Sequence, residues 1–333
     1  MNMTTTATDP QPLRIVDARW AVEQASRAPS VHNTQPWRFT FGGGRFEMYA
    51  DTARGLTVTD PDGRELVLSC GAALYNLRVA LRKLGYHGTV TLLPDRSNPR
   101  LLATIAVTES TPATAAERRE YAAITRRHTH RGPFDERVLS PDLAERLHLA
   151  AYEEGAQLIY VHDPGQRRRV LQLARAAARA QQGDQRVAAE LAAWTPPPGS
   201  PRHDGVPAAA YSTEPVVSPD DLPPRDFDQL RGFGSLTRHD PNPGALAVLA
   251  TPSDLQFDWL RGGEALERVL LAAAEQWAFA ALHSAVTEVP NLRAELRREL
   301  CTSAHPQLLL RFGYASDATI TPRRPVDDVL QVS

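Results

Sequence analysis

Two cysteines in 333 residues, Cys70 and Cys301, exclude a disulfide framework and any CxxC centre. No apolar run approaches the roughly 20 residues of a membrane span. No basic patch followed by an apolar run opens the chain at Met1–Asp9, so no secretory signal is expected and a cytoplasmic protein is. A formal charge of −2 and a pI near 6.6 leave no global pull toward nucleic acid or anionic membrane. No G-x-G-x-x-G occurs, which excludes a Rossmann-type dinucleotide site. The triplet Gly42-Gly43-Gly44 lacks a following Lys-Ser/Thr pair and helix, so it reads as a hairpin turn rather than a phosphate loop.

What is present is the length of about two domain-sized units. The spacing of apolar residues predicts helices over 14–27, 65–84, 115–126, 142–154, 166–182, 264–283 and 292–300. In the second of these Leu66, Cys70, Leu74, Leu77, Leu81 and Leu84 recur at steps of three and four, Gly85 stands at the C-cap, and Cys70 reads as a small core residue. Residues 264–283 form the most apolar stretch, with Trp277 on a helix buried on most sides. Ser140 is a good N-cap. Strands are expected over 37–41, 45–49, 89–93, 101–107, 157–161, 245–251 and 307–312. Residues 1–12 are expected to be disordered, and residues 321–332 form a Pro/Arg-containing tail. Eleven of the 27 prolines fall between Trp194 and Pro243, a stretch that cannot sustain helix or central strand and reads as a lid or a disordered insert. A faint duplication pairs Gly71-Ala72-Ala73-Leu74 with Gly263-Glu264-Ala265-Leu266 at a period of about 190 residues.

Three polar stretches could carry chemistry. The first is Pro29-Ser30-Val31-His32-Asn33-Thr34-Gln35-Pro36-Trp37, in isolation an ordinary helix-ending turn. The second is Arg126-Arg127-His128-Thr129-His130-Arg131-Gly132-Pro133-Phe134-Asp135. If it is extended, Arg127, Thr129 and Arg131 face one side, and two guanidinium groups and a hydroxyl converge. Read alone it is more simply a solvated basic turn, and His128 with His130 lacks the third ligand a metal needs. The third is Arg323-Arg324-Pro325-Val326-Asp327-Asp328-Val329.

Together these stretches resemble flavin-dependent nitroreductases. Pro29, Ser30, Asn33, Gln35, Pro36 and Trp37 match six positions of the P-S-S-x-N-x-Q-P-W segment, and Arg127-x-Thr129-x-Arg131 is similar to the R-x-S-x-[KR] segment that opens those enzymes. Gly313-Tyr314 followed by Arg323-Arg324-Pro325 is similar to their closing segment. The two motifs stand in the reverse of the usual order, so the chain most resembles the fused, Acg-like branch. The resemblance implies an α+β nitroreductase-like fold built as an intramolecular pseudo-dimer. Residues 13–114 would form the first repeat, and 115–333 the second, with a lid at about 194–243. It implies one FMN per chain, because only one complete pair of segments remains. Leu13 to Arg19 lacks the arginine pattern, and Glu153 to Leu158 replaces the Asn-Gln-Pro-Trp run. By the same resemblance Arg127 and Thr129 hold the phosphate or ribityl chain, with Arg323 or Arg324 adding charge, since a dianion favours arginine forks. Arg131 lies near the pyrimidine edge as a stabiliser of reduced flavin. Pro29, Ser30 and Asn33 reach the flavin from the other repeat. No side chain acts as a nucleophile, no metal is called for, and the N5 edge is placed only in the neighbourhood of Ser284-Ala285-Val286.

Two functions follow from the resemblance. One is an FMN-dependent NAD(P)H oxidoreductase acting on a nitroaromatic, a quinone or a small metabolite. The other is an FMN storage or sequestration protein whose lid blocks turnover. A flavin-free scaffold is a third reading. Partners are a small-molecule substrate, with neither nucleic acid nor membrane. The fusion makes a monomer sufficient and leaves further association open.

Overall fold

The computed structural model describes residues 12–109, 111–132, 134–211, 222–234, 244–301, 303–315 and 319–333. One succession of elements occurs twice. The first half runs α1 (Ile15–Ala25), β1 (Trp37–Gly42), β2 (Arg45–Ala50), α2 (Arg64–Lys83), β3 (Tyr86–Leu92) and β4 (Leu101–Glu109). After α3 (Ala115–Arg126), the second half runs α4 (Pro141–Glu153), β5 (Gln157–Tyr160), α5 (Pro164–Gln182), α6 (Gln185–Ala193), β6 (Ala245–Thr251), α7 (Gln256–Glu275), β7 (Ala278–His283), α8 (Ala285–Glu288), α9 (Pro290–Leu296) and β8 (His305–Tyr314). The chain closes with α10 (Val326–Val329) and β9 (Leu330–Val332). One sheet has the order β3-β4-β2-β1-β9 and the other β5-β6-β8-β7. Read from the β3 and β7 edges, the two sheets repeat one order, as two copies of one α+β unit must.

Local chemistry explains most boundaries. Gly43 and Gly44 take positive φ of 55° and 72° and turn β1 into antiparallel β2. Thr114 and Glu117 close a capping box on α3, and Ser140 Oγ accepts from Leu143 N–H at the start of α4. Cys70 is buried in the first core and its thiol donates to Pro36 O; both cysteines are free. Among the described residues no helix is long and apolar enough to cross a membrane.

The halves are joined by α2 crossing α7. A Cβ on Gly71 would lie 2.1 Å from Leu260 O, and one on Gly263 would lie 2.0 Å from Leu68 O. The contact is reciprocal: Leu260 stands to Leu68 as Gly263 stands to Gly71, at one and the same offset along the chain. The duplicated Gly-Ala and Gly-Glu segments are therefore the crossing point itself. Backbones approach this closely only where neither helix carries a side chain.

Two expectations are corrected, and one element is added. The helix expected over 264–283 is α7, which begins earlier and ends at Glu275; residues 278–283 are strand β7, paired along its length with β8. Trp277, expected on the buried helix, sits in the connecting turn with φ 56° and is 61 % exposed. The tail is not all loop: β9 pairs in parallel with β1, Phe39 opposite Leu330 and Phe41 opposite Val332, so the end of the second half completes the first sheet. In the 194–243 insert the described segments contain one short 3-10 turn, Ala208–Ala210. Residues 1–11, Pro133 and the rest of that insert lie outside the described residues, as does the disorder expected of the N-terminus.

Candidate functional site

The arginine segment leaves the end of α3 extended and lies against β7, where Thr129 bridges Ala280 in parallel and His130 N–H donates to Ala280 O. Successive side chains therefore part company. His128 and His130 turn inward, packed on Phe279 and Phe134. Among the described residues no group of His, Cys, Asp and Glu is arranged to hold a metal. Arg127 is buried and turns toward α7, its Nε 3.5 Å from Glu267 Oε1 and its NH2 donating to Arg27 O at 2.7 Å. Thr129 is half-buried, with no side-chain hydrogen bond among the described residues. Arg131 stacks over Phe227 at 5.7 Å and faces no carboxylate in any ion pair among the described residues.

Arg323 arrives from the tail. Its guanidinium donates to Asn33 Oδ1 at 3.1 Å, Thr321 Oγ1 at 2.6 Å and Arg27 O at 3.0 Å. Asn33 and Arg323, distant in sequence, thus meet directly, and Arg127 shares the Arg27 carbonyl with Arg323. Arg127 and Arg323 line a cleft of about 210 Å³, together with Arg27, Arg126, Trp277 and Phe279 among others.

The electrostatics are unbalanced. Burial, then the repulsion of Arg127, lowers Arg323 to about 9 and Arg131 to about 10; burial also lowers Arg127. The carboxylate facing Arg127 and Arg323 is Glu267, wholly buried on α7 and pushed by that burial up to about 7 despite Arg127. Both its oxygens and the Nε atoms of Arg127 and Arg323 are buried without a hydrogen bond. Two guanidinium groups share one half-titrated carboxylate and a third, Arg131, repels them, so the site gains from a bound anion. Glu267 also predicts a stability signature. Its folded-state pKa lies above the unfolded one, so its contribution is greatest below about pH 4.5 and is lost as the pH rises to about 7. Relative to wild type, Glu267→Gln is expected to gain roughly 2–4 kcal/mol over that interval and nothing further above it. Thermal unfolding of both proteins at several pH values checks this; a constant difference refutes it.

The remaining predicted residues are placed differently. Pro29 is buried, and Ser30 Oγ accepts from Gln35 N–H, holding the turn. The Asn33 amide donates to Gly205 O and Pro322 O while its oxygen takes Arg323, so it fastens turn, insert and tail. Arg324 points away from the cleft: its guanidinium donates to Gln35 O and Asp328 O and lies 3.9 Å from Asp51. Adjacent side chains in an extended tail face opposite ways, so only one of the two arginines can reach the cleft. Ser284 is held by Glu288, which also pairs with Arg225 of the insert. Sequence reasoning missed Glu267, Arg27, Arg126 and Trp277. Arg126 stood in the quoted run; the other three carry no local signal.

The insert covers the turn. Gln35 donates to His203 O, Gly205 N–H donates to Asn33 O, Arg54 pairs with Asp204, and Phe227 packs edge-on against His32.

The equivalent place in the other half is filled from within. The offset that relates Gly71 to Gly263 relates Tyr75 and Asn76 to Glu267 and Arg268. Here Glu154, 2 % exposed, accepts from Arg78 at 2.9 Å, Arg268 at 2.8 Å and Arg261 at 3.3 Å, with Glu264 and Glu153 completing the pairs. Every arginine there has a carboxylate partner.

No family model matches the chain. Among curated proteins of Mycobacterium tuberculosis, it is 34 % identical over 330 residues to a "Putative NAD(P)H nitroreductase", covering 94 % of this chain and 90 % of that one. It is 31 % identical over 323 residues to the "Putative NAD(P)H nitroreductase acg", covering 94 % of each, and 32 % identical over 324 residues to an uncharacterized protein, covering 94 % and 92 %. A crystal structure of a nitroreductase with bound FMN from Bacteroides fragilis is a distant likeness: 12 % identity, TM-score 0.38, 62 % of this chain and 93 % of that chain. Near-complete overlap with relatives of this identity settles the matter of kinship: the chain belongs to the nitroreductase family, in its Acg-like branch.

Proposed function

We propose that the protein is an FMN-dependent NAD(P)H oxidoreductase of the nitroreductase type that holds one flavin per chain. The observation that carries this reading is the pair Arg127 and Arg323 at a single carboxylate, lining a cleft with aromatic walls and with Arg131 near enough to repel them. The family's FMN phosphate fits that donor set, since it brings the missing negative charge. When bound, FMN supplies the redox chemistry, taking hydride from NAD(P)H and passing it to an electron-poor acceptor such as a nitroaromatic or a quinone.

The chain's own residues supply position and field. Arg127 and Arg323 would hold the phosphate together with the Thr129 hydroxyl; Arg127 has more donors to spare than Arg323, because it makes one hydrogen bond. Arg131, lacking an acidic partner among the described residues, would supply positive charge to the flavin ring. Pro29, Ser30 and Asn33 shape the wall contributed by the first half, and Asn33 does so by locking Arg323 rather than by offering a free amide. Arg324 contributes long-range charge only. One cofactor per chain is supported by Glu154, whose carboxylate satisfies the guanidinium groups of the related position. Extracted flavin is expected at one equivalent.

A second reading is favoured by the insert. His203, Gly205 and Phe227 close over the Asn33 turn, which suits a sequestering protein. An anaerobic titration decides between them. Addition of NADPH or NADH to the yellow protein is expected to bleach the flavin band within seconds. Persistence of colour with both nucleotides, while dithionite bleaches it, would establish storage; colourless protein that ignores added FMN would sink both.

A further inference from the structure

Trp277 occupies a position that the chain elsewhere gives to glycine. It is the residue after the C-cap of α7, directly before β7. Its counterpart in the first half, at the offset that relates Gly71 to Gly263, is Gly85, after the C-cap of α2 and directly before β3. Both residues are left-handed, Gly85 at φ 86° and Trp277 at φ 56°. Glycine adopts that conformation freely and a side chain does not. The same turn therefore works without a side chain in one half, and in the other carries the largest one against backbone preference. Strain retained in this way points to a use outside the fold.

The surroundings of Trp277 indicate what that use is. The indole is 61 % exposed, forms part of the cleft wall, and carries the Arg126 guanidinium 5.1 Å from its ring. Ile320, 84 % exposed, and Arg27, with a side chain 41 % exposed, lie at the same cleft. A flat apolar face flanked by two accessible guanidinium groups suits a planar ring that carries phosphate. Arg127, assigned to the FMN phosphate above, is buried in this cleft, whereas Trp277 and Ile320 stand exposed at it and stay available to a second ligand beside the flavin.

We propose that Trp277 and Arg126 form a subsite for the phosphorylated adenosine end of the nicotinamide dinucleotide that donates hydride. The proposal rests on the cleft being the flavin site, and the test separates the two. Adenosine 2′,5′-bisphosphate and inorganic phosphate are titrated into the FMN-loaded full-length protein, with tryptophan fluorescence and calorimetry as readouts. Wild type is expected to bind the adenosine bisphosphate at least about tenfold more tightly than phosphate. Trp277→Gly is expected to weaken it by about tenfold, with FMN affinity unchanged and a thermal midpoint no lower than wild type, since strain is relieved. Arg126→Gln is expected to weaken it about threefold to tenfold. Undiminished binding by Trp277→Gly overturns the proposal. So does loss of FMN from that variant, which would give the indole to the flavin instead. If wild-type protein takes up no FMN, the functional reading fails, and the nucleotide titration on the flavin-free protein still decides this one.

Discussion

Arg127→Met is expected to lower the affinity for FMN by at least about a hundredfold while leaving affinity for riboflavin within about threefold. Charge-assisted hydrogen bonds contribute about 1.5–3 kcal/mol each, and a guanidinium fork makes two. Arg127 is the member of the cluster with donors still to give, since it meets only Arg27 O and the Glu267 carboxylate among the described residues. Riboflavin lacks the phosphate, so the ratio of the two affinities isolates this contact from general damage to the cleft. Calorimetry near pH 5.5, well below the raised Glu267 pKa of about 7, leaves the carboxyl protonated without need of a counter-ion and keeps the variant's fold comparable with wild type. A variant that still prefers FMN over riboflavin as wild type does would show that the phosphate lies elsewhere.

Gly263→Ala is expected to destabilise the protein by about 3–5 kcal/mol. The added Cβ would lie 2.0 Å from Leu68 O and 2.9 Å from Leu68 C, which are backbone atoms of the opposite helix and cannot rotate away. Relief requires α2 and α7 to separate, which opens the packing between both halves and loosens the cleft they share. Gly71→Ala should behave alike, because its Cβ meets Leu260 O at 2.1 Å. Gly43→Ala is the control: it has positive φ but open space within 4 Å, so about 1 kcal/mol is expected from backbone strain alone. Urea unfolding of the three variants measures this, and a Gly263→Ala loss below about 1 kcal/mol would contradict the close crossing.

Several elements could be read directly because the governing interactions are local. Ser140 caps the residues just after it, Gly43 and Gly44 set a two-residue turn, and the leucine spacing of α2 reports its own buried face. The run 278–283 could not be read that way. Alanines continue a helical pattern there, yet backbone pairing with β8 outweighs propensity, and the left-handed Trp277 has already ended the helix.

The candidate site divides along the same line. Residue types in the Pro29–Trp37 and Arg127–Arg131 runs, together with the tail arginines, determined the family, the fold class and the chemistry to expect, because those are properties of short contiguous segments. Only the folded chain decided that Arg323 rather than Arg324 turns to the cleft, that Asn33 is spent on joining three segments, that Glu267 stands beside Arg127, and that Trp277 forms the outer wall of the cleft. The reason is distance along the chain. Arg127 and Glu267 are separated by the whole Pro-rich insert, and Asn33 and Arg323 by nearly the full length of the protein. Such pairings are fixed by how α2 crosses α7 and where β9 docks, neither of which leaves a mark on its immediate neighbours.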